Sequence, residues 1–128
     1  MGQRKRRADG LLEKKRTING KVMHFYGHTV AEIEAKIDAY KAELLQLVTD
    51  AAKTGIPVIG SINCAGAGDA WIEYAAAMQQ AGASALELNI FLLPTDRRAS
   101  AQEIESHYAG IVRKVVAEVT IPVSVKLP

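Results

Sequence analysis

The sequence predicts an α/β protein organised around a parallel βαβαβ unit. From residue 57 onward, short and almost continuously apolar segments alternate with longer segments of helical period, which is typical of parallel strands separated by crossover helices. Each apolar segment ends with a polar residue, at Asn63, Asn89 and Lys126. We expect these strands to be buried on both faces, with right-handed crossovers. The predicted elements are strand 57–63, helix 69–80, strand 84–91, helix 101–118 and strand 121–126.

Charge separates the first 28 residues from the rest of the chain. They hold eight Lys or Arg against two acidic residues, a net charge of +6, so residues 29–128 carry −4 of the overall +2. We interpret residues 1–28 as a basic arm and residues 29–128 as the folded domain. The run Arg4-Lys5-Arg6-Arg7 could contact nucleic acid or an acidic surface, but it lacks interleaved aromatic residues. A solvated tail is therefore the favoured interpretation, and nucleic acid is not an expected partner.

Two further elements are predicted before residue 57. Asn19-Gly20 is a tight-turn signal and predicts a hairpin, although the flanking alternation of apolar and polar residues is short. Thr29 and Glu32 have capping-box spacing, which predicts the start of a helix running to about Lys53. The apolar residues of this helix recur at helical spacing, so we expect it to cover a sheet.

Capping signals also begin the two later helices. Asp69 is placed to cap the helix at 69–80, and Ser100 with Glu103 repeats the capping box before the helix at 101–118. Trp71 and Tyr108 lie on these helices away from the strand ends, so we expect them to be packing residues.

Composition indicates a globular protein of the cytoplasm. The chain is 48% hydrophobic and 23% charged, and no apolar run approaches the roughly 20 residues of a membrane helix. The basic start lacks the apolar core and cleavage site of a secretory signal. Cys64 is the single cysteine, so it has no partner for an internal disulfide or a cysteine zinc site. We expect no metal site and no membrane partner.

The polar residues at the strand ends predict a binding site. Carboxyl ends of parallel strands share one edge, where ligands of open α/β sheets and barrels bind. Asn63, Asn89 and Lys126 should therefore face a common site. The alternatives are that each asparagine forms a turn and that the lysine is solvated.

Three stretches resemble successive strands of the dihydroorotate dehydrogenase family. They are Ile56-Pro57-Val58-Ile59-Gly60-Ser61-Ile62-Asn63, Ala81-Gly82-Ala83-Ser84-Ala85-Leu86-Glu87-Leu88-Asn89 and Ile121-Pro122-Val123-Ser124-Val125-Lys126-Leu127-Pro128. They occur in the family's order and at sensible intervals, and the resemblance covers residues 54–128. Residues 1–53 match nothing in the family.

The resemblance implies part of a flavin-binding (β/α)₈ barrel that oxidises dihydroorotate to orotate in pyrimidine biosynthesis by hydride transfer to FMN. By its place in the motifs, Asn63 is similar to an asparagine that contacts FMN. Asn89 is similar to one that reaches both flavin and substrate. Lys126 is similar to the lysine at the pyrimidine edge of the flavin, where it would stabilise the charge that a reduced flavin gathers.

The chain departs from the family at the catalytic base. The family's loop supplies a cysteine or serine after the asparagine, followed by Pro-Asn, whereas this chain reads Asn89-Ile90-Phe91-Leu92-Leu93-Pro94-Thr95-Asp96. Leucine and phenylalanine cannot accept a proton, so the base is unassigned and Asp96 is a candidate for it. Asp96 could equally belong to a surface turn with Arg97 and Arg98. Cys64 lies on another strand and is better interpreted as a buried structural thiol.

Length is a second departure, since a (β/α)₈ barrel needs roughly 250 residues. Either the chain is truncated, which an ending inside a motif favours, or it is a half barrel that pairs with another chain, such as a second copy.

The glycine cluster from Cys64 to Asp69 lies between a strand and a helix, but Trp71 replaces the last glycine of a dinucleotide fingerprint. A non-catalytic flavoprotein remnant or assembly module is the alternative to an FMN-dependent enzyme with a small-molecule substrate.

Overall fold

The computed structural model describes residues 7–18, 20–64, 68–91, 96 and 98–127. Within these residues the chain forms five strands and three helices. In order they are β1 (Leu12–Ile18), β2 (Lys21–Gly27), α1 (Val30–Ala52), β3 (Ile59–Ile62), α2 (Ala70–Gln80), β4 (Ala85–Asn89), α3 (Ala101–Glu118) and β5 (Val123–Lys126).

The second half of the chain is the predicted βαβαβ unit. Strands β3, β4 and β5 are neighbours in that order, and both pairings are parallel. All three strands are shorter than predicted. Strand β4 spans Ala85–Asn89 rather than 84–91, β3 begins after Pro57 and β5 begins after Pro122. Proline has no N–H to donate to a ladder, although the Pro122 carbonyl still accepts a hydrogen bond from the Leu86 amide at 2.8 Å.

The three-stranded sheet is covered on one face only, and the prediction of burial on both faces is wrong for the described residues. Consecutive strands that lie side by side with crossovers of one hand place both helices on the same side of the sheet. Leu86, Leu88 and Ile62 are at most 3% exposed and form a core with α2 and α3. On the opposite face Ser61 and Ser124 are exposed.

The predicted hairpin is confirmed. Strands β1 and β2 are antiparallel, with Leu12 opposite Gly27 at one end and Ile18 opposite Lys21 at the other. Asn19 lies outside the described residues. The described part of the basic arm therefore contains a two-stranded ribbon, while Arg4, Lys5 and Arg6 lie outside the described residues.

Helix α1 packs on this hairpin over its first half. Ile33 and Ile37 are 1% and 2% exposed and form a second core with Ile18 of β1. Toward its C-terminal end, Val48 packs instead against the core of the parallel sheet. Helix α1 was expected to cover a sheet. It packs on the hairpin with its first half and on the parallel sheet near its C-terminal end.

The three helix starts differ in how fully they are capped. At α3, Ser100 and Glu103 form the complete capping box. At α1, Thr29 accepts a hydrogen bond from the Glu32 amide, but Glu32 accepts from the amide of His28 rather than from the cap residue. At α2, Asp69 occupies the predicted cap position, but its side chain accepts no hydrogen bond from the first turn. The predicted capping bond is therefore wrong.

Candidate functional site

Asn63, Asn89 and Lys126 lie together at the carboxyl edge of the parallel sheet, as predicted. Asn89 is the register partner of Lys126, and Asn63 follows directly after Ile62, the partner of Leu88. We call these three residues the Asn–Asn–Lys row. All three line one open cleft of about 630 Å³. This volume falls within the roughly 300–1,000 Å³ of small-molecule sites.

The period of the strands explains why the row faces away from the helices. Successive side chains of a strand alternate between the two faces, and register partners point to the same face. Because Leu88 and Ile62 are buried against the helices, the residues that follow them point to the uncovered face. Asn63 and Asn89 are half-buried at this edge, and Lys126 is exposed.

A second polar row lies two residues earlier on the same face. Ser61 is paired with Glu87, and Glu87 with Ser124. The Ser61 hydroxyl donates to Oε1 of Glu87 at 3.1 Å, and the Ser124 hydroxyl donates to the Leu86 carbonyl at 3.1 Å. Sequence reasoning missed this row, although the signal was present as polar residues two positions before each member of the Asn–Asn–Lys row.

The hairpin supplies a further wall of the cleft, which sequence reasoning also missed. Thr17 and Gly20 line it together with the strand ends. No sequence pattern could have found them, because their position depends on how the hairpin packs against α1.

The Asn–Asn–Lys row has the chemistry to bind a polar planar ligand. In the part of the chain that the structure describes, no side-chain hydrogen bond or ion pair engages these three residues. Each asparagine can both donate and accept, while the lysine is a cation with three donors. The row therefore offers free donors beside one positive charge at the mouth of a cleft.

Cys64 also lines the cleft, but its thiol is not activated. The residue is half-buried and packs against the core of the parallel sheet. Burial raises the pKa of the Cys64 thiol to about 11. The thiol is thus protonated near neutral pH and a poor nucleophile or base, in agreement with a structural role.

Asp96 lies in an exposed turn rather than in the cleft. Its carboxylate accepts a hydrogen bond from the Arg98 amide at 2.9 Å, and its carbonyl accepts one from Ala99. It is not among the described residues that line the cleft. Leu92, Leu93, Pro94, Thr95 and Arg97 of the same loop lie outside the described residues, as do Ala65, Gly66 and Ala67 of the glycine cluster and Pro128.

The two aromatic residues predicted to be packing residues lie at the core of the parallel sheet. Trp71 is 2% exposed in that core, and Tyr108 packs against it. Trp71 is the second residue of α2 and is buried, so the first turn of this helix has an apolar ring where a phosphate-binding loop would have a glycine.

A separate apolar groove of about 300 Å³ runs along the edge of β3 that pairs with no other described strand. It lies between that strand and the second half of α1, and we call it the edge groove. Consecutive residues 58–63 line one side, and Leu44, Leu47 and Val48 line the other. Lys41 lies 5.6 Å from the centre of the Tyr74 ring at this groove. Asn63 borders both cavities.

No helix in the ranges given above is long and apolar enough to span a membrane. Those residues also contain no group of three or more His, Cys, Asp or Glu that could hold a metal ion.

Comparison of the chain with protein-family models and with curated proteins finds no match. The fold of the described residues defines the class as a mixed α/β protein with a three-stranded parallel sheet interleaved with helices.

Proposed function

We propose that this chain is part of an FMN-dependent oxidoreductase similar to dihydroorotate dehydrogenase, and that its parallel unit is a segment of a (β/α)₈ barrel. The observation that carries the proposal is the convergence of Asn63, Asn89 and Lys126 on one cleft at the carboxyl edge of the sheet. Active sites of such barrels lie at this edge. The polar face of the sheet would then point into the barrel.

The residues of the cleft fit the isoalloxazine ring of FMN. Lys126 would lie at the pyrimidine edge of the ring, and its ammonium would stabilise negative charge there. The amides of Asn63 and Asn89 suit ring carbonyls and ring N–H groups, because one amide both donates and accepts. FMN supplies hydride acceptance when bound, and the protein's contribution is to bind, orient and tune it.

Asn89 would also contact the substrate, a small carboxylate such as dihydroorotate. Its neighbour in the register, Lys126, is the only charged residue among the described residues that line the cleft, so an anion is the favoured ligand class. Removing a proton from substrate carbon requires a base, and Asp96 is the candidate on the loop after β4. Its carboxylate would have to leave the Arg98 amide to act, so we expect poor turnover of dihydroorotate.

Flavin content and flavin reduction test this proposal. The purified protein should bind FMN, and Lys126→Ala should raise the Kd about tenfold and make the flavin potential more negative, because the developing charge loses its partner. Lys53→Ala is the control, since Lys53 pairs with Asp50 on α1 and lines neither cavity. Absence of FMN binding by the unaltered protein would refute the proposal.

Anaerobic reduction of the bound flavin by dihydroorotate separates binding from catalysis. A positioned base contributes about 10² to 10⁴ in rate, so reduction should be slower than in an enzyme with its base in place. Loss of the remaining reduction in Asp96→Asn would identify Asp96 as the base. Rapid reduction in both proteins would show that the base lies elsewhere.

The edge groove favours a second candidate function, that of a non-catalytic assembly module. An unpaired strand edge beside apolar side chains is suited to adding a strand from a second copy of the chain. A protein that binds no FMN yet forms defined oligomers would support this candidate over the enzyme.

A further inference from the structure

The connection between β1 and β2 comes into close contact with the proposed site. Gly20 lies in this connection and has a φ of +75°. A Cβ atom placed on Gly20 would lie 2.7 Å from Nδ2 of Asn63 and 3.1 Å from its Cγ. Both distances are too short for ordinary packing, so the amide of Asn63 occupies the space that a side chain at position 20 would need.

We propose that Gly20 is a positioning residue of the site, which sets the orientation of the Asn63 amide by leaving room for it. This inference rests on the proposed flavin function. It adds to that function the hairpin, a part of the chain that the resemblance does not cover. Gly20 acts through Asn63 and not on the ligand directly.

The hairpin is anchored firmly enough to act as a fixed wall. Ile18, two residues before Gly20, is 4% exposed and packs in one core with Ile33 and Ile37 of α1. Lys14 of β1 forms an ion pair with Glu34 of α1. Because β1 is held against α1 at both Lys14 and Ile18, we expect an added side chain at position 20 to displace Asn63 rather than the hairpin.

Asn63 is the partner that can yield. It follows the last residue of β3, outside the ladder, and its amide has no hydrogen-bond partner among the described residues. Rotation of its side chain would move the amide out of line with Asn89 and Lys126. The site would then lose one of its two amides without losing its fold.

Gly10 provides a matched control for the backbone. It has a φ of +78°, almost that of Gly20, but a Cβ placed there would meet nothing within 4 Å. Alanine at either position must adopt a left-handed backbone conformation, which costs an L-residue other than glycine about 1–2 kcal/mol. Only alanine at position 20 must also displace Asn63, so a difference between the two variants reports that contact.

The experiment is a double-mutant cycle read by FMN binding and by thermal unfolding. Gly10→Ala should lower the Tm by about 4 °C or more, and Gly20→Ala should lower it further because it must also displace Asn63. Gly20→Ala should raise the Kd for FMN about tenfold, whereas Gly10→Ala should leave it unchanged within about twofold. In the Asn63→Ala background, Gly20→Ala should have no further effect on the Kd. Gly20→Asn is a second variant that should fold, because asparagine tolerates the left-handed region.

The side-chain amide of Asn63 gives a direct readout that does not depend on flavin. Its ¹⁵N–¹H resonances should shift in Gly20→Ala and Gly20→Asn but not in Gly10→Ala. Equal effects of the two alanine variants on these resonances and on the Kd would overturn the inference. If the unaltered protein binds no FMN, the proposed function fails, while the resonances and the non-additivity of the Tm values still test whether Gly20 positions Asn63.

Discussion

At the scale of single residues, the proposed site combines residues whose positions can be predicted from the sequence with residues whose positions depend on tertiary packing. Asn63, Asn89 and Lys126 could be predicted because each follows an apolar strand, and strand ends share an edge in a parallel sheet. Gly20 could not, because the hairpin reaches Asn63 only through the packing of Ile18 on α1. The end of a strand can be recognised from the residues around it. A contact between distant segments, such as Gly20 and Asn63, depends on tertiary packing and leaves no local pattern in the sequence.

Cys64 provides a test of the local environment of the cleft. Since burial raises the pKa of its thiol from 9.0 to about 11, its thiolate fraction near pH 8 should be about 100-fold lower than that of an unperturbed thiol. We expect slow alkylation by iodoacetamide near neutral pH, with a rate that rises until about pH 11. Denatured protein is the control, and equal rates in folded and denatured protein would show that the thiol is not shielded.

The same pKa shift predicts how stability changes at alkaline pH. A thiol with a raised folded pKa stabilises the folded state fully below its unfolded pKa of 9.0, and this contribution is lost as pH rises toward about 11. Cys64→Ala should remove this part of the alkaline pH dependence of the free energy of unfolding.

At the scale of elements, local sequence signals predicted the bounds of the helices more accurately than the bounds of the strands. The bounds of α3 agree with the prediction because a capping box begins it and its period is regular. Strands β3 and β5 begin later than predicted because Pro57 and Pro122 cannot donate to the ladder. The uncovered face of the sheet was not predicted, since apolar strands alone do not reveal which side the helices take.

The contrast between two helix starts gives a prediction at this scale. Ser100→Ala should lower the free energy of unfolding by about 1 kcal/mol, because it removes the acceptor for the Glu103 amide. Asp69→Ala is the matched control and should have a smaller effect, since Asp69 makes no side-chain capping bond in α2. Urea unfolding measures both, and equal losses would contradict the capping geometry.

The capping box should also depend on pH. Hydrogen bonds from the Ser100 backbone and then its side chain lower the pKa of Glu103 below its usual value. A lowered carboxyl pKa stabilises the folded state above the unfolded pKa, and this contribution is lost as pH falls through the folded pKa. The difference in stability between the unaltered protein and Glu103→Gln should therefore shrink in acid.

At the scale of the whole molecule, α1 connects two separate cores. Its 23 residues extend about 35 Å, with the hairpin core at its start and the core of the parallel sheet near its end. The hairpin is thus a folded part of the molecule that contacts the site through Gly20. Charge and composition indicated a basic arm, but they contain no information about this packing.

Unpaired strand edges lead to the final prediction, that the protein self-associates. Among the described residues, β3 and β5 form the two edges of the parallel sheet and each pairs with β4 alone. Ile59 on β3 is 64% exposed and lines the edge groove. Such edges are templates for pairing with another chain, and a charge on the edge strand opposes it.

We therefore expect sedimentation of the unaltered protein to show association that increases with concentration. Ile59→Lys should shift the distribution toward monomer, because a charge would have to be buried against the apolar groove when a second strand adds. Val116→Lys is the matched control, since Val116 is 53% exposed on α3 and lines neither cavity. A monodisperse, cooperatively melting monomer at every concentration would contradict the prediction. Equal dissociation by both lysine variants would instead assign the effect to overall charge rather than to the β3 edge.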